Sequence, residues 1–350
     1  MKLLNNTLRW TNLLLILVTL LAYLAPHLNP AKIWQLTYLG LAYPIFLFAN
    51  IGFAIFWALR RDRYAWFSVG CILAGLGYFG GFFNLSFAET AKDPDAAISV
   101  LTYNIASLDN YAGKKGKRQE VLEADFKEFA SQIEQPDVFC MQEWKGEKLT
   151  GLVNSTFGFA NNYRVENTAI FSKFPIQNKG SLDFGNTTNN CVWADLKTPK
   201  GTVRFYSVHL QSNKLTQTAD KIATKGHLND EQTWRDIRFV MGRYKTAVAI
   251  RAKQAQQVAE HIAKSPYPVI LCGDFNDPPV SYTYNLLSKS LQDSFCEKGS
   301  GVGSTFAGNL PFLRIDYVLP GKKFKVLNHT VIGTKLSDHY PVEVLLEWAK

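Results

Sequence analysis

The chain has 350 residues, a net charge of +9 and five cysteines, and its composition changes abruptly near residue 88. Residues 1–87 are almost entirely apolar or aromatic, whereas the remainder has the mix of an ordinary globular domain and is mildly basic, which fits an anionic substrate or surface as well as a plain solvated face. No cysteine pair has the Cys-x-x-Cys spacing of a metal site, so buried free thiols are expected, with a Cys191–Cys296 disulfide as the alternative.

Three apolar segments, 12–28, 33–59 and 64–87, each come close to the roughly 20 residues a helix needs to cross a bilayer. They predict three transmembrane helices. A cleaved signal peptide accounts for the first alone, but no small-residue cleavage site follows its Leu-rich core and two further segments come after it. Buried soluble helices would show charge at helical spacing on a polar face, and here charge falls only at segment ends. Lys2 and Arg9 precede the first segment, and Arg60, Arg61 and Arg63 separate the second from the third. The positive-inside rule keeps both flanks in the cytoplasm, so an odd number of crossings exports the rest, whereas two spans with one segment lying in the interface would keep it inside. The expected protein is a multi-pass inner-membrane protein. Its membrane region is 1–88, a linker covers 89–96, and the domain 97–350 is extracytoplasmic, periplasmic in a double-membrane bacterium. The lipid bilayer is the partner of the first region, and nothing calls for an obligate protein partner.

In the soluble part, a β-rich run over 97–103 ends in Asn104, and the strand 138–141 ends in Gln142 and Glu143. An amphipathic helix over 120–133 lies between them, with Pro136 beyond its end. Further strands are predicted at 163–165, 168–171, 191–196, 203–209, 314–319 and 342–347. Residues 213–265 read as a loop followed by a helix, with Ala247, Ile250, Val258 and Ile262 on its buried side; Arg251 and Gln254 either pack toward the cleft or, as their polarity favours, decorate its solvated face. Residues 268–279 read Pro-Val-Ile-Leu-Cys-Gly-Asp-Phe-Asn-Asp-Pro-Pro. This is a short apolar strand delivering Asp274 and Asn276 to one face, or else an Asp and an Asn serving as turn residues before Pro278 and Pro279. Other strand ends carry the same polar cargo, which favours the strand.

Thr102-Tyr-Asn104, Gln142-Glu143, Ser207-Val-His209-Leu, Gly273-Asp-Phe-Asn276, Arg314-Ile-Asp316-Tyr and Ser337-Asp-His339 resemble, in order, the motifs of the endonuclease/exonuclease/phosphatase superfamily. The resemblance spans residues 99–348. It implies an α/β fold, a four-layered α/β sandwich of two packed, mainly antiparallel sheets with outer helices, and a hydrolase that cleaves phosphate esters with Mg²⁺ or Mn²⁺.

Phosphate ester cleavage needs a hard cation to neutralise charge on the phosphoryl oxygens, and Mg²⁺ takes a few oxygen ligands. The resemblance implies Glu143 as the carboxylate ligand, Asn104 as a neutral oxygen and Asp338 as further support. Asp274 activates or orients the attacking water or is itself a metal ligand, and Asn276 holds water or a phosphate oxygen. His209 and His339 flank the phosphate as donors, with Asp316 orienting and charging His339. Trp144 is either a rim aromatic or a core residue, and Ser107 has no Gly-x-Ser-x-Gly elbow to make it a nucleophile. The substrate is a nucleic acid or a phospholipid or sphingolipid head group. A catalytically silent phosphate-binding or scaffold module on the same fold is the reading of another class, and it would be favoured by missing ligands.

Overall fold

The computed structural model describes residues 2–93, 96–106, 119–143, 147–185, 187–213, 218, 222, 230–308, 312–334 and 336–349. Ser107 and Trp144 lie outside the described residues. The amino-terminal helices are α1 (Lys2–Ala22), α2 (Gln35–Leu41), α3 (Tyr43–Leu59), α4 (Tyr64–Ala74) and α5 (Leu76–Phe79). The strands are β1 (Phe83–Leu85), β2 (Ala97–Asn104), β3 (Val138–Gln142), β4 (Asn161–Val165), β5 (Thr168–Ser172), β6 (Ile176–Asp183), β7 (Asn190–Thr198), β8 (Gly201–His209), β9 (Val269–Asp274), β10 (Ser300–Val302), β11 (Asp316–Pro320), β12 (Phe324–Val331) and β13 (Val342–Trp348). The helices among them are α6 (Gln119–Ser131), α7 (Glu147–Phe157), α8 (Glu231–Ala263), α9 (Tyr282–Ser288) and α10 (Ser294–Lys298).

Strands β2, β3, β8 and β9 are apolar at consecutive positions because both of their faces are covered. Val100, Cys140, Phe205 and Cys272 point into the seam between two sheets. Their neighbours Leu101, Phe139 and Met141 meet Phe126, Phe129 and Phe157 of α6 and α7 on one outer face. Tyr206, Val208 and Leu271 meet Ala255, Val258 and Leu287 of α8 and α9 on the other. The result is four layers, helix–sheet–sheet–helix. The six-stranded sheet runs β12-β13-β2-β3-β5-β4 and the five-stranded sheet β11-β9-β8-β7-β6. Each is antiparallel except for one parallel pair, β2 with β3 and β8 with β9. Parallel neighbours need a crossover, and α6 and α8 lie in the two connections.

The amino-terminal region departs from three transmembrane helices. One apolar helix, Leu3–His27, is long enough to cross a membrane. The second segment breaks into α2 and α3, bent by 61°. Pro44 sits in the first turn of α3, where it cannot donate to a carbonyl of α2, so the two helices do not run on as one. The third segment yields only the 11-residue α4, about 16 Å long, before Gly75 ends it. Glycine has no side chain to favour the helix, and a Cβ there would lie 2.1 Å from the Tyr23 hydroxyl. Strand pairing begins at Phe83, where β1 joins β10 antiparallel.

These helices form a bundle with polar bonds inside: Asn12 donates to Ser68 at 2.8 Å, Trp57 to Asn12 at 3.1 Å and Asn50 to Thr19 at 2.9 Å. Arg9 pairs with Asp62 at 2.6 Å and Arg60 donates to Asn5 at 2.6 Å, so the arginines gather at one end. At the other end, Asn285 donates to the Pro26 carbonyl at 3.0 Å and Arg314 to the Gly81 carbonyl at 2.8 Å. All five cysteines are free, with Cys191 buried and Cys296 exposed, so the Cys191–Cys296 disulfide is absent.

Arg314 is fully buried and binds Asp293 bidentately, at 3.0 and 2.7 Å, while Tyr284 donates to the same carboxylate at 2.6 Å. Removing one member of a buried pair strands the other charge. Arg314→Met is expected to cost about 3–5 kcal/mol, and adding Asp293→Leu to recover most of it; chemical unfolding of the full chain in detergent measures both, and a double variant no better than the single would refute the pairing as the source. Nearby, burial pushes the His329 imidazole down to about 3, so it is neutral in the fold. Unfolded, it takes up a proton below about 6.5. Stability is therefore expected to fall as pH drops from about 6.5 towards 3, by up to about 1.4 kcal/mol per unit. His329→Asn should flatten that slope, and identical slopes in the two proteins would contradict it.

Candidate active site

The two parallel pairs end side by side, and each carries a polar residue past its last apolar one. Asn104 closes β2 opposite Gln142, and His209 closes β8 opposite Asp274 of β9. On the other flank of β9, Asp316 opens β11 directly opposite Asp274. The turn 337–341 lays His339 over the same end before β13 begins, held by Ser337, whose hydroxyl donates to the Asn104 carbonyl at 2.7 Å.

Gly273 is dictated by this crowding. Its φ is +133°, and a Cβ would sit 2.0 Å from the Val208 carbonyl oxygen. Glu143 and Asn276 take the left-handed conformation, with φ of 55° and 54°. Non-glycine residues adopt it only where the surroundings impose it, and such sites cluster at functional centres.

Asp274 is the hub. Its Oδ2 accepts from Asn104 Nδ2 at 2.9 Å and from Asn276 Nδ2 at 3.0 Å, and its Oδ1 from the Asn276 backbone at 2.8 Å. The same Oδ2 lies 3.7 Å from His209 Nε2 and 3.8 Å from His339 Nε2. Glu143 Oε1 is 3.7 Å from His209 Nε2 and 3.4 Å from Asn104 Nδ2, and its side chain keeps 31% of its surface open to the cleft. His339 Nδ1 is bonded to Asp316 Oδ2 at 2.9 Å. Burial raises the Asp274 carboxyl, against the pull of His339. Burial also works against charge on His339, but the Asp316 and Asp274 carboxylates overrule it and lift the imidazole to about 10.

Seven of the eight expected site residues thus converge. Asp338 stays at the margin: among the described residues its carboxylate is bonded only by Ser337, at 3.5 Å, though its charge adds to the field on His339. Asn276 Nδ2 donates to Asp274 and to the Leu210 carbonyl, 3.1 Å away, and so positions the hub.

Arg251 and Gln254 are not on a solvated face. Both are buried, Arg251 completely. Arg251 pairs with Asp277 at 2.7 Å and donates to the Gln211 carbonyl and to Asn213 Oδ1, each at 2.8 Å. Gln254 Oε1 accepts from the Gln211 backbone at 2.8 Å. Together they clamp the chain that leaves His209. The spacing carried the signal, because Arg251 lies four residues from both Ala247 and Ala255 on the buried stripe. Asn167 Nδ2, 3.3 Å from His209 Nδ1, and Thr305, whose hydroxyl accepts from the Ile315 and Asp316 backbones at 3.0 Å, were not legible. Each is a single polar residue in a turn.

Asp274, Asp316 and His339 offer three ligand atoms within 4.8 Å of one another. Those atoms are buried and already face each other, whereas Glu143 opens to the cleft beside Asn104. The Asn104 amide turns its nitrogen to Glu143 and Asp274 and its oxygen to the Ala106 N–H at 3.0 Å, so the open Glu143 carboxylate is the residue best placed for a hard divalent cation.

The family described as Endonuclease/Exonuclease/phosphatase matches residues 101–339, and a family described only as a domain of unknown function matches residues 5–82. No curated protein matches the chain. Among solved structures, the chain is similar to an endonuclease/exonuclease/phosphatase family protein from Bacteroides thetaiotaomicron, at 20% identity and a TM-score of 0.53 over 73% of this chain and 98% of that one. It is similar to the mannosyl-6-phosphatase of the same species (19%, TM-score 0.51, 72% and 100%) and to the human Nocturnin catalytic domain with bound sulfate (18%, 0.50, 73% and 95%). At these identities the structures speak for the fold. The match over residues 101–339 covers well over half of the chain, which belongs to the endonuclease/exonuclease/phosphatase family, whose members are phosphoesterases and nucleases.

Proposed function

We propose that the chain is a membrane-anchored, divalent-cation-dependent phosphoesterase that cleaves its substrate by direct attack of water. The observation that supports this most is the meeting of Asp274, His209 and His339 within 4 Å at one carboxylate oxygen, beside the open Glu143. Glu143, with Asn104 beside it, would hold Mg²⁺ or Mn²⁺, and Asp338 would add negative charge at the margin of the site. When bound, the cation supplies positive charge to the phosphoryl oxygens.

Asp274 Oδ2 takes a proton from the attacking water, and the water oxygen forms the new bond to phosphorus as the ester bond breaks. Asn104 and Asn276 fix the carboxylate by their amide donors, so it meets the water without reorganising. His339, kept protonated by Asp316, donates from Nε2 to the charge that builds on the phosphate. His209, turned by Asn167, donates from the other side.

For the anchor, α1 crosses the bilayer with its arginine-bearing end in the cytoplasm. Arg9, Arg60, Arg61 and Arg63 lie at that end, and the catalytic domain is joined to the opposite end, so the domain is extracytoplasmic. Exposed Leu14, Leu17, Ile45, Phe48, Phe67 and Leu73 give the bundle the apolar surface that lipid would cover.

Chelation with EDTA is expected to abolish hydrolysis of a chromogenic phosphodiester by the full chain, with Mg²⁺ or Mn²⁺ restoring it. Glu143→Gln, Asp274→Asn and His339→Ala should each lower kcat by about 10²-fold or more while melting normally. EDTA-resistant turnover would refute the cation, and near-normal turnover in both Asp274→Asn and His339→Ala would refute the cleft. Alkaline phosphatase fused after Lys350 is expected to be active, whereas a fluorescent protein there that glows in the cytoplasm, beside an inactive phosphatase fusion, would place the domain inside.

A further inference from the structure

Helix α8 runs for 33 residues, about 50 Å, and only its second half packs on the five-stranded sheet. Its first half extends to the membrane-proximal segment. There Tyr38 donates to the Met241 carbonyl at 2.5 Å, Tyr38 and Tyr244 rings lie 5.2 Å apart, and the Lys245 ammonium sits 4.6 Å over Trp34. Tyr244 and Val248 of α8 pack against Tyr38 and Leu41 in a small apolar cluster. The residues 34–41 that α8 meets lie at the bundle end that faces the catalytic domain, and Trp34 and Tyr38 are the aromatic types that settle at the lipid–water interface.

A groove of about 430 Å³ lies along this half of α8. Arg238, Phe239, Arg243 and Ile250 form one wall, and Gln211 and Asn213 the other. Arg238 and Arg243 are exposed, and neither pairs with a carboxylate among the described residues. Phe239 and Met241 are exposed as well, at 52% and 42%. Among the described residues no acidic side chain lines the groove. Its far wall is the chain that leaves His209, pinned by Arg251 to Asp277 and continuous through Leu210 with Asn276. The groove therefore shares α8 with the Trp34 and Tyr38 contacts, and Gln211 on its other wall lies two residues after His209.

We propose that this groove binds the head group of an anionic phospholipid drawn from the bilayer that holds α1, and that it presents membrane lipid to the cleft. Two guanidinium groups meet the phosphate beside Phe239, and Met241, whose carbonyl binds Tyr38, dips among the acyl chains on the neighbouring face of the helix. The proposal deepens the phosphoesterase reading by naming lipid as the substrate class, and it takes the position of the bilayer from that reading. Its test needs no turnover, so it stands or falls separately from the chemistry.

The full chain in neutral detergent with EDTA, followed by native mass spectrometry, is titrated with phosphatidylglycerol or phosphatidylcholine. The wild type is expected to retain phosphatidylglycerol at least about tenfold better. Arg238→Gln/Arg243→Gln should lose that preference, and Arg60→Gln/Arg61→Gln, at the opposite end of the bundle, should keep it. The exposed positions leave folding intact, which an unchanged melting temperature verifies. Equal retention of the two lipids, or a preference that survives in the first variant and disappears in the second, would overturn the proposal. So would displacement of the lipid by millimolar inorganic phosphate, which would make the groove a free-anion site, or by a single-stranded oligonucleotide, which would assign it to nucleic acid.

Discussion

Everything at the site depends on how closely β8 and β9 approach each other at their carboxyl ends. The Val208 carbonyl leaves no room for a side chain at residue 273, so only glycine lets the parallel pair stay in register for one more step. That step places His209 opposite Asp274. With a larger residue the two strands would part, and the carboxylate would leave the reach of Asn104, which arrives from the other sheet. The bond between Asn104 and Asp274 is thus a clasp across the seam of the sandwich. It is buried, and the only way to satisfy both partners is to keep both sheets in place.

Beside this clasp, a second fully buried polar group ties the site to the amino-terminal bundle. Arg314 stands two residues before Asp316, whose carboxylate charges His339. Its guanidinium reaches Asp293 on one side and the Gly81 carbonyl, at the exit from the apolar bundle, on the other. The aromatic rings of Tyr317 and Phe295 lie 4.7 and 4.9 Å from it. Breaking that group would leave a charge stranded in an apolar layer, so the bundle and the catalytic domain share one set of buried contacts at their junction.

The strands that build the site were readable because burial on both faces writes itself as consecutive apolar residues, as in Val269 to Cys272, with a polar residue at the end. The site residues came with them, through short motifs at strand ends. Strand β6 was not readable. It is an edge strand, and most of its residues alternate between partial and full exposure, so it shows no apolar face. Strand β12 hides behind a bulge between Val326 and Asn328 that breaks its alternation. The count of transmembrane helices failed for a related reason. Hydropathy records that 33–59 and 64–87 are apolar, but not that a bend at Ala42 and a close approach of Tyr23 to Gly75 divide them. Composition gives the solvent of a segment, while its length as a rod is set by a few backbone positions.

Helix α8 shows how one element can belong to two environments at once. Its carboxyl half carries a stripe of small and apolar residues, Ala247, Val248, Ala252, Ala255 and Val258, and packs as a core helix. Arg251 lies on that same stripe, where an arginine is tolerated because Asp277 and the chain after His209 accept three bonds from its two terminal nitrogens. The amino half turns the composition around, with arginine, phenylalanine and methionine facing out and tyrosine packed against residues 34–41. A helix made only to cover the sheet would end where the sheet ends. This one continues for several more turns, and Arg251, near the centre of its length, holds the chain after His209 while the turns before it meet residues 34–41 of the bundle. One helix therefore contacts residues 34–41 of the amino-terminal bundle through its amino half and, through Arg251 and Gln254, fixes Gln211 two residues beyond His209.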